Sequence, residues 1–441
     1  SFIQSKMYQR GVTCSNCHNP HSLELKAQGN ELCAGCHAPQ TYDNASHHFH
    51  SAAGSPGTQC VDCHMPATLY MGVDARRDHS MRVPRPDISE QVAAPNACNN
   101  CHTDKPHSWS ASAIQSWLKG RSQPDQPVAT ALYAARTSQP DAIDQLVSLA
   151  NNYDTSAIAR ATALGLLEQY PDRSTYRVAQ QQLGHPDPLI RIGAITALAM
   201  LPLQQRWPAI SPLLDDPVKS VRLEATRLLL GLKGLQPQQQ KELDRRTAEY
   251  IDALLVSADM PNGQLNLAHS YRALGNYQKA EQAYRHALKL DTKSLPAHLN
   301  LADLYRAQGR ELQAIDLLLQ TRALYPGNPM VHFSLGLAHI RASQADKALT
   351  NLQQAWSLAP DNSRYAYAYA LSLNAGGSGA EAIEVLRKAL NPAEPDRDLL
   401  FALVTISRDL GRQAQARDFA DKLVVAFPRD KAAVTLRRSL Q

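Results

Sequence analysis

Cysteine is absent from the last 339 of the 441 residues, since all eight lie in the first 102. Aromatic residues are also scarce, at 6%, which suits a repetitive helical body packed mostly with Leu and Ala. No block of Lys or Arg occurs and the net charge is only +5, so the charge pattern excludes nucleic acid as a partner. No apolar run reaches the ~18 residues needed to cross a bilayer, and the chain is expected to be soluble. There is no Gly-rich phosphate loop, nucleophile elbow or His-Glu-x-x-His zinc pattern, so catalysis by the helical part is not expected. The chain opens on Ser1 with no initiator Met or signal peptide and reads as a mature or truncated product. Its length suits about three domains.

What is present sits at the front. Ten of the sixteen histidines precede residue 108, among the cysteines. The cysteines form four copies of one pattern: Cys14-Ser-Asn-Cys17-His18, Cys33-Ala-Gly-Cys36-His37, Cys60-Val-Asp-Cys63-His64 and Cys98-Asn-Asn-Cys101-His102. Two thiols at i and i+3 can reach the two vinyl groups of one porphyrin, and the adjacent His then meets the iron from beneath the ring. Zinc also uses Cys-x-x-Cys pairs but needs no His directly after each. A disulfide framework would not repeat one spacing four times. The pattern therefore predicts four covalently attached haems c, with His18, His37, His64 and His102 as proximal ligands. Haems of this class are normally attached outside the cytoplasm, so the protein is expected to be exported, to the periplasm or the cell surface.

Six further histidines lie among the motifs: His21, His47, His48, His50, His79 and His107. They are the candidates for distal ligands, with Met65, Met71 and Met81 as weaker ones. His21 lies three residues after His18, too close to wrap around the same ring, and is expected to cap a neighbouring haem. The run His47-His48-Phe49-His50 is expected to supply one or two caps and His79 another, while His107 reads equally well as a surface residue. Paired imidazoles saturate the iron and favour low potentials relative to Met/His ligation. Six candidates exceed the four positions required, so either two are ordinary or they cap haems of an upstream segment or a neighbouring chain. Four haems in about 120 residues leave too little chain for a side-chain core. The porphyrins would be the core, wrapped in coil and short helices, as Asn19-Pro20, Gly54-Ser-Pro56-Gly57 and Pro84-Arg-Pro86 suggest.

The stretch from Gly11 to Lys119 resembles the multihaem cytochrome superfamily that includes pentahaem cytochrome c nitrite reductase and its octahaem relatives. The residues that carry the resemblance are Gly11-Val-Thr-Cys-Ser-Asn-Cys-His-Asn-Pro-His21, His47-His48-Phe-His50, Gln59-Cys-Val-Asp-Cys-His-Met-Pro66, Asp78-His79-Ser80 and Pro95-Asn-Ala-Cys98. The resemblance implies distal roles for His21 and His79, and further haems upstream. The chain has no Cys-x-x-Cys-Lys variant of the motif.

From about residue 127 the pattern changes to amphipathic helices with a period of 31. Arg160, Arg191 and Arg222 are equally spaced, as are Ala163, Ala194 and Ala225, and Leu167, Leu198 and Leu229. Turns at His185-Pro-Asp-Pro188 and Asp215-Asp-Pro217 precede matching helices, and the pattern resembles short HEAT-like repeats. The register of each Arg with small Ala positions points to a role in stacking. After Gln236-Pro-Gln-Gln-Gln240 the period becomes 34: Gly275, Gly309, Ser343, Gly377 and Gly411 recur, as do Ala280, Ala314, Ala348, Ala382 and Ala416. This resembles the tetratricopeptide repeat, with five copies over 261–430 and a closing helix to Gln441. Such solenoids present a concave face to a partner protein or peptide, and Asn266, Asn300, Tyr305 and Arg306 are candidates to line it. Tyr365, Tyr367 and Tyr369 read as packing residues.

The expected architecture is mostly α: a coil-rich tetrahaem cytochrome c domain at 1–120, HEAT-like repeats at 121–240 and a tetratricopeptide solenoid at 241–441. The expected function is electron relay through mostly bis-His haems, with redox proteins as partners and the repeats docking a protein. The alternatives are a module of a nitrogen- or sulfur-oxyanion reductase with a catalytic haem, and an oligomer or filament wired by haems between chains. A carrier is favoured over a catalyst.

Overall fold

The computed structural model describes residues 1–50, 54–121, 123, 126–391 and 393–440. The fold is mostly helical, and it divides into two compact units, Ser1–Tyr250 and Ile251–Gln441. The expected end of the closing helix at Gln441 lies outside the described residues; the last helix runs Lys431–Arg438.

Among the described residues before His107 the helices are short. Those at the first and third motifs, Cys14–Cys17 and Cys60–His64, span four and five residues. A two-stranded antiparallel hairpin, β1 (Ala67–Tyr70) and β2 (Asp74–Arg77), pairs Ala67 with Arg77 and Tyr70 with Asp74, and every residue of both strands is exposed. Among the described residues before 121, Ile88 alone is a buried hydrophobic side chain, while Leu23, Leu69 and Met71 are 74%, 67% and 82% exposed. This segment has no side-chain core of its own.

From Pro127 the chain forms stacked helices, among them Ala157–Leu166, Pro188–Ala197 and Lys219–Leu229, which carry the 31-residue repeat. The recurring Ala163, Ala194, Ala225, Leu167, Leu198 and Leu229 are all completely buried in one cluster. The recurring arginines reach backwards to the carbonyls of the preceding turn. Arg160 donates from Nε to Ala150 O at 2.9 Å, Arg191 from Nη1 to His185 O at 2.7 Å, and Arg222 from Nη1 to Asp216 O at 2.8 Å. Two also reach forwards to an acid of the following element: Arg191 to Asp216 at 2.8 Å and Arg222 to Glu249 at 2.5 Å. Each therefore ties off orphan carbonyls at a turn and links one layer to the next. Gly193 permits the close crossing, since a Cβ there would lie 2.6 Å from Ala161 O.

Arg222, with Arg246 assisting, holds the Glu249 carboxyl down at about 2. A carboxyl depressed on folding stabilises fully above its unfolded value near 4.5, and that contribution is lost as pH falls toward 2. Acid titration of helix content is expected to show Glu249→Gln less sensitive between those limits than the parent chain; equal sensitivity would contradict this linkage.

The second unit contains five helix pairs, from Pro261–Ala273 with Tyr277–Leu290 to Arg397–Asp409 with Gln413–Ala426. The recurring small residue between the paired helices is needed for its backbone rather than its size. Gly275, Gly309, Gly377 and Gly411 have φ between 71° and 85°, and Ser343 takes the same left-handed conformation at 56°. The αL region is costly for a residue with a Cβ, so Ser343→Gly is expected to stabilise the chain by about 1 kcal/mol. Thermal melting checks this, and a lowered midpoint would count against it. The five recurring alanines are 0–1% exposed. His298 and His332, also 34 apart, each donate from Nε2 to a carbonyl six residues upstream, Thr292 O at 3.0 Å and Pro326 O at 2.7 Å. Tyr365 and Tyr369 are core residues.

Tyr305, expected on the concave face, is instead buried at 4% exposure, with its hydroxyl between Glu281 and Arg285. Its place on the helix turns it toward the preceding pair. Arg306 and Asn266 are exposed, and Asn300 lies 3.1 Å from the His269 ring.

Candidate functional site

Each Cys-x-x-Cys-His segment is folded as one tight turn. The amide N–H of His18, His37 and His102 donates to the carbonyl of the first cysteine of its motif, at 2.9 Å in all three, and the third motif is itself helical from Cys60 to His64. One helical turn puts residues i and i+3 on the same side, so both thiols of a pair face together. At the first motif Asn16 Oδ1 accepts from Thr13 N–H at 2.8 Å and starts that turn.

No two of the eight cysteines form a disulfide. Burial pushes the Cys63 thiol up to about 11, with Cys98, Asp62 and Cys101 adding to it. Burial and the neighbouring Cys33 push Cys60 up to about 11. Cys17 is raised by burial and then by Cys33 and Cys36, and Cys98 by burial, while Cys14 remains exposed. These neighbourhoods string the motifs in chain order, first beside second, second beside third, third beside fourth. Asn30 pins the middle of the string: its amide donates to Asp43 Oδ1 at 2.8 Å and Thr58 O at 3.0 Å, and its Oδ1 accepts from Cys60 N–H at 2.9 Å.

The histidines are not scattered. His18 faces His79, with ring centres 6.4 Å apart, His64 faces His47 at 6.2 Å, and His102 faces His50 at 6.4 Å. Two imidazoles bound end-on to one metal through ~2.0 Å bonds hold their ring centres roughly 6.3 Å apart. The tautomers also fit. His18, His64, His79 and His50 each donate from Nδ1 to a backbone carbonyl, of Leu23, Arg82, Arg77 and His48 respectively, at 2.9, 2.8, 3.0 and 2.6 Å. That bond fixes the ring and leaves Nε2 as the free lone pair, the arrangement metal-bound histidines use. Burial, then the neighbouring His64 and His48, holds His47 below its usual range. Among the described residues no group of three or more His, Cys, Asp or Glu converges on one point, so each pair offers an ion two protein donors. Two suffice where a porphyrin supplies the other four. The residues present fit a haem.

The other histidines are placed differently. His37 has the edge of Tyr42 against it, ring centres 5.8 Å apart at 87°, and Tyr42 in turn touches His47 at 5.4 Å. His48 accepts the His50 amide N–H on Nδ1 at 3.2 Å and so orients His50. His21 is exposed, and His107 begins the helix His107–Leu118. Gly57, at φ +87°, lets the His50 ring approach the backbone; a Cβ there would lie 2.7 Å from its Nε2. Met71, at the tip of the hairpin, is exposed. Three contacts had no signal in the sequence: Tyr42 between two imidazoles, Trp109 against His102 at 4.8 Å, and Phe49 stacked on Trp117 at 4.4 Å. None lies at a motif spacing.

The chain carries three recognisable kinds of segment. Residues 7–41 match the doubled CXXCH motif, 143–230 match HEAT repeats, and 259–327 and 333–398 match tetratricopeptide repeats. The doubled motif points to c-type haem binding and the repeats to protein–protein interaction. Of individual proteins, the chain is similar to Lipopolysaccharide assembly protein B of Escherichia coli (strain K12), 26% identical over 197 residues. That match covers 42% of this chain and 50% of the relative, so the chain spans about half the length of the curated relatives it matches. Solved structures that align with it include MamA (20% identical, 38% of this chain and 91% of MamA, TM-score 0.34). PilW, a widely conserved type IV pilus biogenesis factor, also aligns (18% identical, 50% of this chain and 99% of PilW, TM-score 0.38).

Proposed function

We propose that residues 1–120 hold four covalent haems c and relay electrons through them, while the HEAT-like repeats (121–240) and the tetratricopeptide solenoid (241–441) dock the relay to a protein partner. The reading is carried by one observation: three motif histidines each face a second imidazole at 6.2–6.4 Å. When bound, haem supplies reversible one-electron chemistry at iron. The chain's residues do the rest. Cys14 and Cys17, Cys33 and Cys36, Cys60 and Cys63, and Cys98 and Cys101 anchor the four groups. His18, His37, His64 and His102 take the proximal positions, and His79, His47 and His50 oppose the first, third and fourth. His48 positions His50. The absence of a side-chain core around these residues fits a segment whose interior is porphyrin.

Export to the periplasm or cell surface follows from thioether attachment.

Intact mass is expected to exceed the polypeptide by four haems, with sharp visible bands on reduction; a mass equal to the bare chain would refute the proposal. Gly57→Ala is expected to push the His50 ring away from His102. The low-spin spectrum should then lose about one haem in four, since an iron with one strong axial imidazole is no longer saturated. An unchanged electron paramagnetic resonance spectrum would remove His50 from the ligand set.

A further inference from the structure

We propose that the second site, Cys33-x-x-Cys36-His37, leaves its iron's sixth position open to a small diatomic ligand such as carbon monoxide or nitric oxide. The inference rests on the haem reading above and deepens it at one site.

His37 differs from the other three motif histidines. His18, His64 and His102 are half-buried and each faces an imidazole, whereas His37 is exposed and meets the edge of Tyr42. Tyr42 packs on His37 and does not oppose it as a ligand. A phenol oxygen stands outside its ring, so a phenol bound opposite would sit further off than the 6.2–6.4 Å of the imidazole pairs, not nearer at 5.8 Å. Among the described residues no imidazole faces His37; its ring, like that of His102, has no hydrogen bond, while Nδ1 of His18 and of His64 is tied to a carbonyl. A ring without such a partner is a weaker, less fixed ligand.

The spare imidazoles do not close the gap. His48 already accepts a hydrogen bond on Nδ1, which leaves the proton on Nε2 and no lone pair there. His21 is exposed with no ring opposite it, and His107 belongs to the helix His107–Leu118 beside the fourth motif. An iron held by one imidazole binds exogenous ligands that two imidazoles exclude.

Titrating the reduced, haem-loaded full chain with carbon monoxide tests the proposal. The expected result is uptake of about one molecule per four haems, with a matching high-spin fraction in the ferric spectrum. A Cys33→Ser/Cys36→Ser variant, three haems by mass, should take up none. A four-haem protein that is wholly low-spin and takes up no carbon monoxide overturns the proposal. So does uptake that appears only on dilution, which would mean that a second copy's imidazole fills the position, or uptake that persists in the double variant. The titration of the unaltered protein decides even if the variant does not fold. A chain without haem overturns the underlying reading instead, and mass alone distinguishes that outcome.

Discussion

His79→Met is expected to move one haem of the protein to a markedly higher potential while the other three stay in place. His79 is the imidazole opposite His18, and its Nδ1 is tied to Arg77 O at 3.0 Å. Sulfur is a softer donor than imidazole and stabilises ferrous iron, so the shift should be a sizeable part of the ~0.8 V that axial ligands span. The neighbourhood is set by short local bonds: Ser80 N–H donates to Asp78 Oδ1 at 2.9 Å, and the Ser80 hydroxyl lowers the Asp78 carboxyl below its usual range against the opposing effect of burial. That turn does not depend on the imidazole, so the variant should keep its haem content. A redox titration following the visible bands reads the result directly. If all components titrate as in the parent, His79 is not a ligand and the first site must be capped from elsewhere.

Arg191→Ala is expected to be the most damaging single change in the helical repeats. The guanidinium and the Asp216 carboxylate are both buried, 8% and 7% exposed, and joined by two 2.8 Å contacts. Removing one partner of a buried pair strands the other and costs about 3–5 kcal/mol. In a unit of this size that lowers the melting temperature by roughly 10 °C. Asp216 Oδ1 also accepts from Val218 N–H at 2.8 Å, so the stranded carboxylate sits at the start of the next helix. Arg191→Met with Asp216→Leu removes both charges. It should cost less than the single change, leaving the lost cap and the lost bonds to His185 O and Pro186 O, each on the order of 1 kcal/mol. A single variant that melts with the parent, or a double variant as damaged as the single, would show that the pair is not what links these layers.

The repeats were legible because their constraints are local and recur. Ala163, Ala194 and Ala225 mark the same buried contact three times, and a left-handed turn every 34 residues selects Gly at four positions and tolerates Ser at 343. The four Cys-x-x-Cys-His motifs were legible for the same reason, since each is a single tight turn. Which imidazole faces which was not. His18 meets His79 and His50 meets His102 across stretches where no periodicity carries information, and the path between them is set by links such as Asn30 to Thr58 and Cys60. Tyr305 was misplaced because helix phase alone cannot tell a residue facing the preceding pair from one facing the open side; its hydroxyl bridge to Glu281 and Arg285 settles its direction.

Among the described residues of the first 120, Ile88 is the one buried aliphatic side chain, and half of the larger apolar ones are exposed. Without the haems proposed for it, such a segment has almost nothing to condense around, whereas the layers from Pro127 onward carry their own interior. Cells starved of iron are therefore expected to degrade this protein from its front end and to accumulate a colourless helical remnant, so that its full-length abundance reports on haem supply.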